Sequence, residues 1–180
     1  MTLDEELFRH INGWAGQFPL LDWVMFQFSQ ESNLLIPGIV AVGYWGWTKW
    51  AEARLAAPSL AILIGLSDFM GGQIKWLIGR SRPCQVLTHI HEIVGCGGAF
   101  SMPSNHAVNP GAAVGFLVVL YPSLGWVLWP VMVLIGLSRV YLGAHYVTDV
   151  LVGWAMGLAL GAGVAFLVKT KLFHDRTKES

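Results

Sequence analysis

Charge is what this chain has least of. Lys, Arg, Asp and Glu make up 12% of its 180 residues and balance to a formal net charge of zero. A soluble domain carries about 25% charged residues. There is no polybasic block, so nucleic-acid binding has no electrostatic footing. Cysteine is nearly absent as well, with only Cys84 and Cys96, both in one loop stretch. They close a short disulfide if that loop faces an oxidising compartment, and are small loop residues otherwise. Linkers, low-complexity tracts and internal repeats are missing, which predicts one domain over 1–180. The start of the chain carries Asp4, Glu5 and Glu6, the wrong sign for a signal peptide.

What is present is apolar. Hydrophobic residues reach 54%, nine of them Trp, and mean hydropathy is +0.55. They come in blocks rather than in amphipathic alternation, so an integral membrane protein is expected. The runs lie near 34–50, 56–79, 107–121, 124–142 and 146–168, the third being short and containing Pro110, which should kink it near its start. The fold class expected is all-α, a polytopic membrane bundle of five transmembrane helices, or six if 18–30 also crosses. Thr2-Leu3-Asp4-Glu5 has capping-box spacing, and Leu3, Leu7, Phe8, Ile11 and Trp14 share a face. An amphipathic helix in the interface follows, within an interfacial segment 1–33. Gly153, Gly157 and Gly161 make a smooth stripe for close packing, inside the molecule or at a dimer seam. The oligomeric state stays open.

Lys49 and Arg54 lie between the first two runs, and Lys169, Lys171, Arg176 and Lys178 follow the last. Five spans put both groups on one side, and the positive-inside rule makes it cytoplasmic. The 80–104 loop and the 139–145 turn then share the outer side, with cations that oppose the rule. Asp68, with Ser67 and Gln73 nearby, is an intramembrane carboxylate, either a functional group or a helix-to-helix hydrogen bond.

Three polar islands interrupt the apolar pattern. The first runs from Lys75 to Pro83; Lys75 and Arg82 are two helical turns apart and flank one anion if the helix bends inward. Snorkelling of long cations is the plainer alternative. The second, Ser101 to His106, places Ser104 as a helix N-cap, where unpaired N–H groups seat a phosphate and His106 reaches the same point. In the third, Ser138 to Asp149, His145 and Asp149 are four apart. On a helix they share a face, so the carboxylate can orient the imidazole as a nucleophile. Arg139 is suited to bidentate capture of phosphate oxygens.

Lys75-x6-Arg82-Pro83, Pro103-Ser104-x-His106 and Ser138-Arg139-x5-His145-x3-Asp149, in that order, resemble the three-part signature of the type 2 phosphatidic acid phosphatase superfamily. The motifs span 75–149. Asn105 departs mildly, since relatives often have Gly or Asp there. The resemblance implies that His145 is the nucleophile, forming a phosphohistidine, with Asp149 holding it. It implies that His106 is the acid for the leaving oxygen, and that Lys75, Arg82, Arg139 and Ser104 cradle the phosphate, helped by a backbone amide near Asn105. No metal or other cofactor is expected, because fixed cations do the work of Mg²⁺; His89 and His91 are too few to argue for a metal.

The chain is also similar, in length and span pattern, to bacterial undecaprenyl-diphosphate phosphatases of that superfamily. The expected partners are a lipid phosphate or diphosphate and membrane lipids, at the outer face of a bacterial inner membrane. Phosphatidylglycerophosphate, phosphatidate and lipid A phosphatases share the motifs. A soluble vanadate-dependent haloperoxidase, also of this superfamily, is excluded by the hydrophobic chain. A lipid-binding protein without turnover is argued against by the intact His106, His145 and Asp149.

Overall fold

The computed structural model describes residues 1–33 and 36–171 with their side chains, and of 34, 35 and 172–179 the backbone alone. The side chains of Arg176 and Lys178 in the basic tail fall outside the described ones. Among the described residues eight α-helices follow one another: α1 Leu3–Asn12, α2 Pro19–Ser29, α3 Glu31–Thr48, α4 Trp50–Ile78, α5 Pro83–Val86, α6 Asn105–Leu120, α7 Gly125–Tyr141 and α8 Val147–Glu179. Among the described residues the only β pairing is an isolated bridge, Ser81 to Phe100. The expected all-α membrane architecture is what forms. Among the described residues, three helical stretches are long and apolar enough to cross a bilayer by themselves, Trp50–Ile78, Pro122–Tyr141 and Val147–Lys171; α6 is a shorter apolar helix that continues through Pro110. The segment 18–30 becomes α2, whose 11 residues reach about 16 Å, against a hydrocarbon core of about 30 Å. It does not span.

α6 and α8 are the spine, and their glycines explain why. A Cβ at Gly157 would lie 2.1 Å from the Val108 carbonyl oxygen, and one at Gly161 2.1 Å from that of Ala112. Only glycine permits backbones this close, so the stripe on α8 serves packing within the molecule. α4 closes the bundle at Ala56 and Leu63, against Ala112, Phe116, Ala165 and Val168.

α1 departs from the expectation of a helix lying only in the interface. Its capping box forms, with Thr2 Oγ1 accepting from Glu5 N at 3.3 Å and Glu5 Oε2 accepting from Thr2 N at 3.1 Å. Leu3, Leu7 and Trp14 remain exposed, but Phe8 and Asn12 are buried. Phe8 packs edge-on to Tyr146 at 5.6 Å, beside Ala107, Val140 and Val150. Burial of such a ring contributes about 1.5–3 kcal/mol. Asn12 donates to the carbonyls of His91 and Tyr141, each at 2.8 Å, and accepts from His91 N at 2.9 Å. One face of α1 is thus exposed and the other docks on α7, α8 and the loop connecting α5 to α6. Cys84 and Cys96 are paired, tying that loop to itself.

Candidate active site

The chain leaves α7 at Tyr141 and turns through Gly143, whose φ is +87°. A Cβ there would also lie 2.6 Å from the His91 carbonyl oxygen, so the turn needs glycine twice over. The turn delivers His145 just ahead of α8 rather than on it. The sequence expectation that His145 and Asp149 share a helix face is corrected accordingly. Asp149 sits in the first turn of α8, and its Oδ2 accepts from Tyr146 N at 2.9 Å, a capping bond. The same oxygen lies 3.4 Å from His145 Nδ1, a contact too poorly aligned to count as a formed hydrogen bond. Both side chains are buried, His145 at 1% and Asp149 at 0% exposure.

A carboxylate this deep needs compensation. It comes from Arg80, whose Nη1 donates to Asp149 Oδ1 at 2.8 Å and to Thr148 Oγ1 at 2.7 Å. Arg80 Nη2 bonds Asp4 Oδ2 at 2.6 Å, and its guanidinium lies 4.0 Å from the centre of the Tyr146 ring. These contacts hold Arg80 above even the usual arginine range, although burial opposes them.

The far nitrogen of His145, Nε2, stands 3.1 Å from Arg82 Nη1. Arginine has donors and no acceptor, so Nε2 presents its lone pair and the ring proton sits on Nδ1, toward Asp149. Burial pushes the His145 imidazole down to about 4, with the Asp149 contact opposing and Arg82 and Arg139 adding to the fall. At neutral pH it is uncharged, with its lone pair aimed at a cation.

Arg82 is itself held, Nε donating to the Gly98 carbonyl at 2.7 Å and Nη1 to that of Ala144 at 3.1 Å. Arg139 comes from the last turn of α7, and its Nη1 donates to Ser29 Oγ. Lys75 lies in the last turn of α4, with Arg82, Asp68, Asp149 and Arg139 as its near charges. α4 stops there because Gly79 adopts a left-handed cap, φ 64°, and turns Arg80 and Arg82 back over the helix ends. Ser104 is the N-cap of α6, yet its hydroxyl caps nothing: Oγ is buried without a partner, as is Arg139 Nε. Buried polar groups without partners are uncommon in proteins. The first N–H groups of α6 also lack intrahelical acceptors. This set of donors fits a tetrahedral oxyanion in front of His145 Nε2.

Asn105 begins α6 and turns its side chain away from the helix end. Its side-chain amide donates to Asp68, to Oδ1 at 2.8 Å and to the carbonyl at 3.2 Å, and Asn109 donates to the same Oδ1 at 3.1 Å. The amide is thereby drawn away from the phosphate cradle, and only the backbone N–H of Asn105 is left for that use. Asp68 is the helix-to-helix hydrogen bond of its two readings, joining α4 to α6, and Gly71 leaves the room: a Cβ there would lie 2.6 Å from Asn105 Oδ1.

His106, in the first turn of α6, brings in a residue the motifs do not contain. Its Nε2 lies 3.1 Å from Oε1 of Glu31, the first residue of α3. Sequence reasoning misses Glu31, Ser29, Arg80 and Asp4. Arg80 alone had a signal: a second arginine two residues from Arg82. Among the described residues, no group of three or more His, Cys, Asp or Glu is arranged to hold a metal ion.

A family model described as the PAP2 superfamily matches residues 56–173. The chain is 33% identical over 151 residues to phosphatidylglycerophosphatase B of Bacillus subtilis, covering 77% of this chain and 68% of that one. It is 27% identical over 170 residues to a lipid A 4'-phosphatase of Porphyromonas gingivalis, covering 89% and 71%. Among solved structures it resembles the transmembrane PAP2 type phosphatidylglycerolphosphate phosphatase of Bacillus subtilis, with a TM-score of 0.68 and 30% identity over 96% of this chain and 85% of that one.

Proposed function

The chain belongs to the PAP2 superfamily and is a membrane lipid phosphatase, and on that premise we propose how its site works and what it takes. The observation that carries the mechanism is the lone pair of His145 Nε2, facing Arg82 beside the unpartnered Ser104 Oγ and Arg139 Nε. His145 Nε2 attacks phosphorus as the bond to the leaving oxygen breaks on the opposite side. Lys75, Arg82, Arg139, Ser104 and the first N–H groups of α6 hold the phosphoryl oxygens, where charge builds up. His106 gives the leaving oxygen its proton. Water then attacks the phosphohistidine, loses a proton to His106, and releases inorganic phosphate and free His145. Asp149 keeps the Nδ1 proton in place throughout. The fixed cations do what a metal does elsewhere, so none takes part.

Undecaprenyl diphosphate is the substrate we propose, on the strength of chain length and span pattern. Phosphatidylglycerophosphate, phosphatidate and lipid A phosphates are the alternatives. The site opens at the outer leaflet of a bacterial inner membrane, with the C-terminus cytoplasmic, a reading supported by Lys49, Arg54, Lys169 and Lys171 at the other end of the bundle. The test is phosphate release from these four lipids by the purified chain in detergent with EDTA present. Release fastest from undecaprenyl diphosphate, inhibited by vanadate and absent in His145→Ala, is the expected result. Activity that dies on chelation and returns only with Mg²⁺ overturns the mechanism, and preference for another lipid overturns the substrate.

A further inference from the structure

Glu31 has no part in the reaction as written, yet it points at it. Its side chain is 73% exposed, at the mouth of the site, and still Oε1 lies 3.1 Å from His106 Nε2. The corner between α2 and α3 makes a second contact, Ser29 Oγ on Arg139 Nη1, so this corner is a wall of the site. Stability explains the Glu31 contact poorly, because an exposed ion pair contributes about 0–1 kcal/mol and costs rotamer freedom.

Proton geometry explains it better. An imidazole has two nitrogens, and the contact occupies Nε2, leaving Nδ1 for the substrate. His145 has the mirrored arrangement, its Nδ1 toward Asp149 and its Nε2 toward the phosphate cradle. The charged and titratable groups around His106 are Glu31 from α3, Lys75 from α4, Arg82 from the following loop, Arg139 from α7 and His145 before α8. Of these five, Glu31 alone is anionic. An acid must carry its second proton beside three cations, and the carboxylate on Nε2 offsets that repulsion.

We infer that Glu31 is the positioning partner of His106, accepting its Nε2–H so that Nδ1 delivers the proton to the leaving oxygen. The inference rests on the proposed role of His106 as the acid. In the first step the P–O electrons go to the leaving oxygen, which takes the Nδ1 proton. In the second, Nδ1 takes a proton from the attacking water and the P–N electrons return to His145. Glu31 keeps the Nε2–H in both steps and is not consumed.

The experiment compares wild type, Glu31→Gln, Glu31→Asp, His106→Ala, the Glu31→Gln/His106→Ala double variant and His145→Ala, full length in detergent. The substrates are a short-chain phosphatidate, which expels an alkoxide, and p-nitrophenyl phosphate, which expels a stable phenolate. General-acid catalysis supplies about 10²–10⁴-fold. Glu31→Gln should lose about 10–100-fold of this in kcat/KM on phosphatidate, and no more than about twofold in kcat/KM on the aryl phosphate, since that ratio reports the step in which the leaving group departs. The alkaline limb of its phosphatidate pH profile should move to lower pH, and Glu31→Asp should recover part of the loss. Added to His106→Ala, Glu31→Gln should cost nothing more. Equal losses on both substrates, an additive double variant, or a raised kcat/KM from removing a competing anion would each overturn the inference. The mechanism itself is checked by His145→Ala: activity surviving there sinks the phosphohistidine reading whatever Glu31 does.

Discussion

The molecule carries two histidine–carboxylate pairs of opposite construction. His145 and Asp149 are four residues apart, both buried, and both within the stretch matched by the family model. His106 and Glu31 join helices 75 residues apart in sequence (106 − 31), and Glu31 is exposed and lies before that stretch. The difference follows from what each imidazole has to do. A nucleophile must stay neutral with its lone pair fixed, and burial does both. An acid that becomes a base in the next step has to change charge every turnover, which a solvated carboxylate tolerates and a buried one resists. One pair is set and the other is adjustable.

The largest effects should come from breaking the set pair. Asp149→Ala should lower kcat by about 10⁴ on every substrate, the scale on which an orienting carboxylate acts. It should also lower the melting temperature, since stranding a charge in a buried pair costs about 3–5 kcal/mol. Here the lower end applies, because Arg80 keeps Asp4 and is partly exposed. Asp149→Asn should fare little better. Its Oδ1 faces the Arg80 donor and its Oδ2 the Tyr146 N–H, so an amide NH2 meets a donor on either side. Glu31→Ala, by contrast, should leave the stability within about 0.5 kcal/mol of wild type and the melting temperature nearly unchanged. Equal melting losses at the two sites would erase the distinction.

Next in size is the cradle. Arg139→Lys should cost about 10²–10³-fold in kcat, as loss of one oxyanion donor does. The ammonium is a point charge and cannot supply both the Nε–H facing the cradle and the Nη1–H on Ser29. Near-normal turnover by the lysine variant would show that charge alone suffices there.

The pH dependence is a gentler way to separate the pairs. His145 is held at about 4 by burial, below its ordinary 6.5, so the acid limb of kcat/KM should lie near pH 4, the rate falling tenfold per unit below it. The stability sign is the same. Between 6.5 and 4 the unfolded chain binds the extra proton, so stability drops as pH falls through that window. Glu31→Gln should leave this acid limb in place while moving the alkaline one. An acid limb near 6.5 would mean that His145 is solvated in the working enzyme.

The local pair was legible in the sequence and the long-range one was not, for a physical reason. Four-residue spacing, a cap after Pro103 and cations at the ends of apolar runs are all written within a few residues. They singled out His145, Asp149, Ser104, His106, Arg82, Arg139 and Lys75 as candidates. Even so, spacing suggested a shared helix face where the chain makes a glycine turn ahead of α8. Glu31, Asp4 and Ser29 are fixed by how α1, α2 and α3 dock, and no local pattern encodes docking. The Asn105 side chain is fixed by docking too, since its amide turns to Asp68, on another helix. The apolar blocks announced the bundle, while the count of spans depends on lengths that 18–30 and 107–121 leave marginal.

The smallest effect expected is also the one that tests whether the N-terminal segment serves the two pairs differently. Asp4 reaches the set pair at second hand, bonding Arg80 Nη2 at 2.6 Å and accepting from Thr148 N at 3.1 Å. Burial would raise its carboxyl, but the bonds from Thr148 and Arg80 outweigh it and hold it below 3.8, so its contribution to stability is complete above that value and lost as pH falls through its folded one. In Asp4→Asn, Arg80 still holds Asp149 and Thr148, and only its anchor weakens. The expected loss in kcat is about threefold to tenfold, no more than about 1.4 kcal/mol at the transition state. It should be the same for phosphatidate and p-nitrophenyl phosphate, because Asp4 acts through the nucleophile, whose attack both substrates share. Glu31 lies in the same segment and should show the reverse, a loss graded by the leaving group. A graded loss in Asp4→Asn as well would mean that the segment acts on the site as one body, and that the two pairs are not separately supplied.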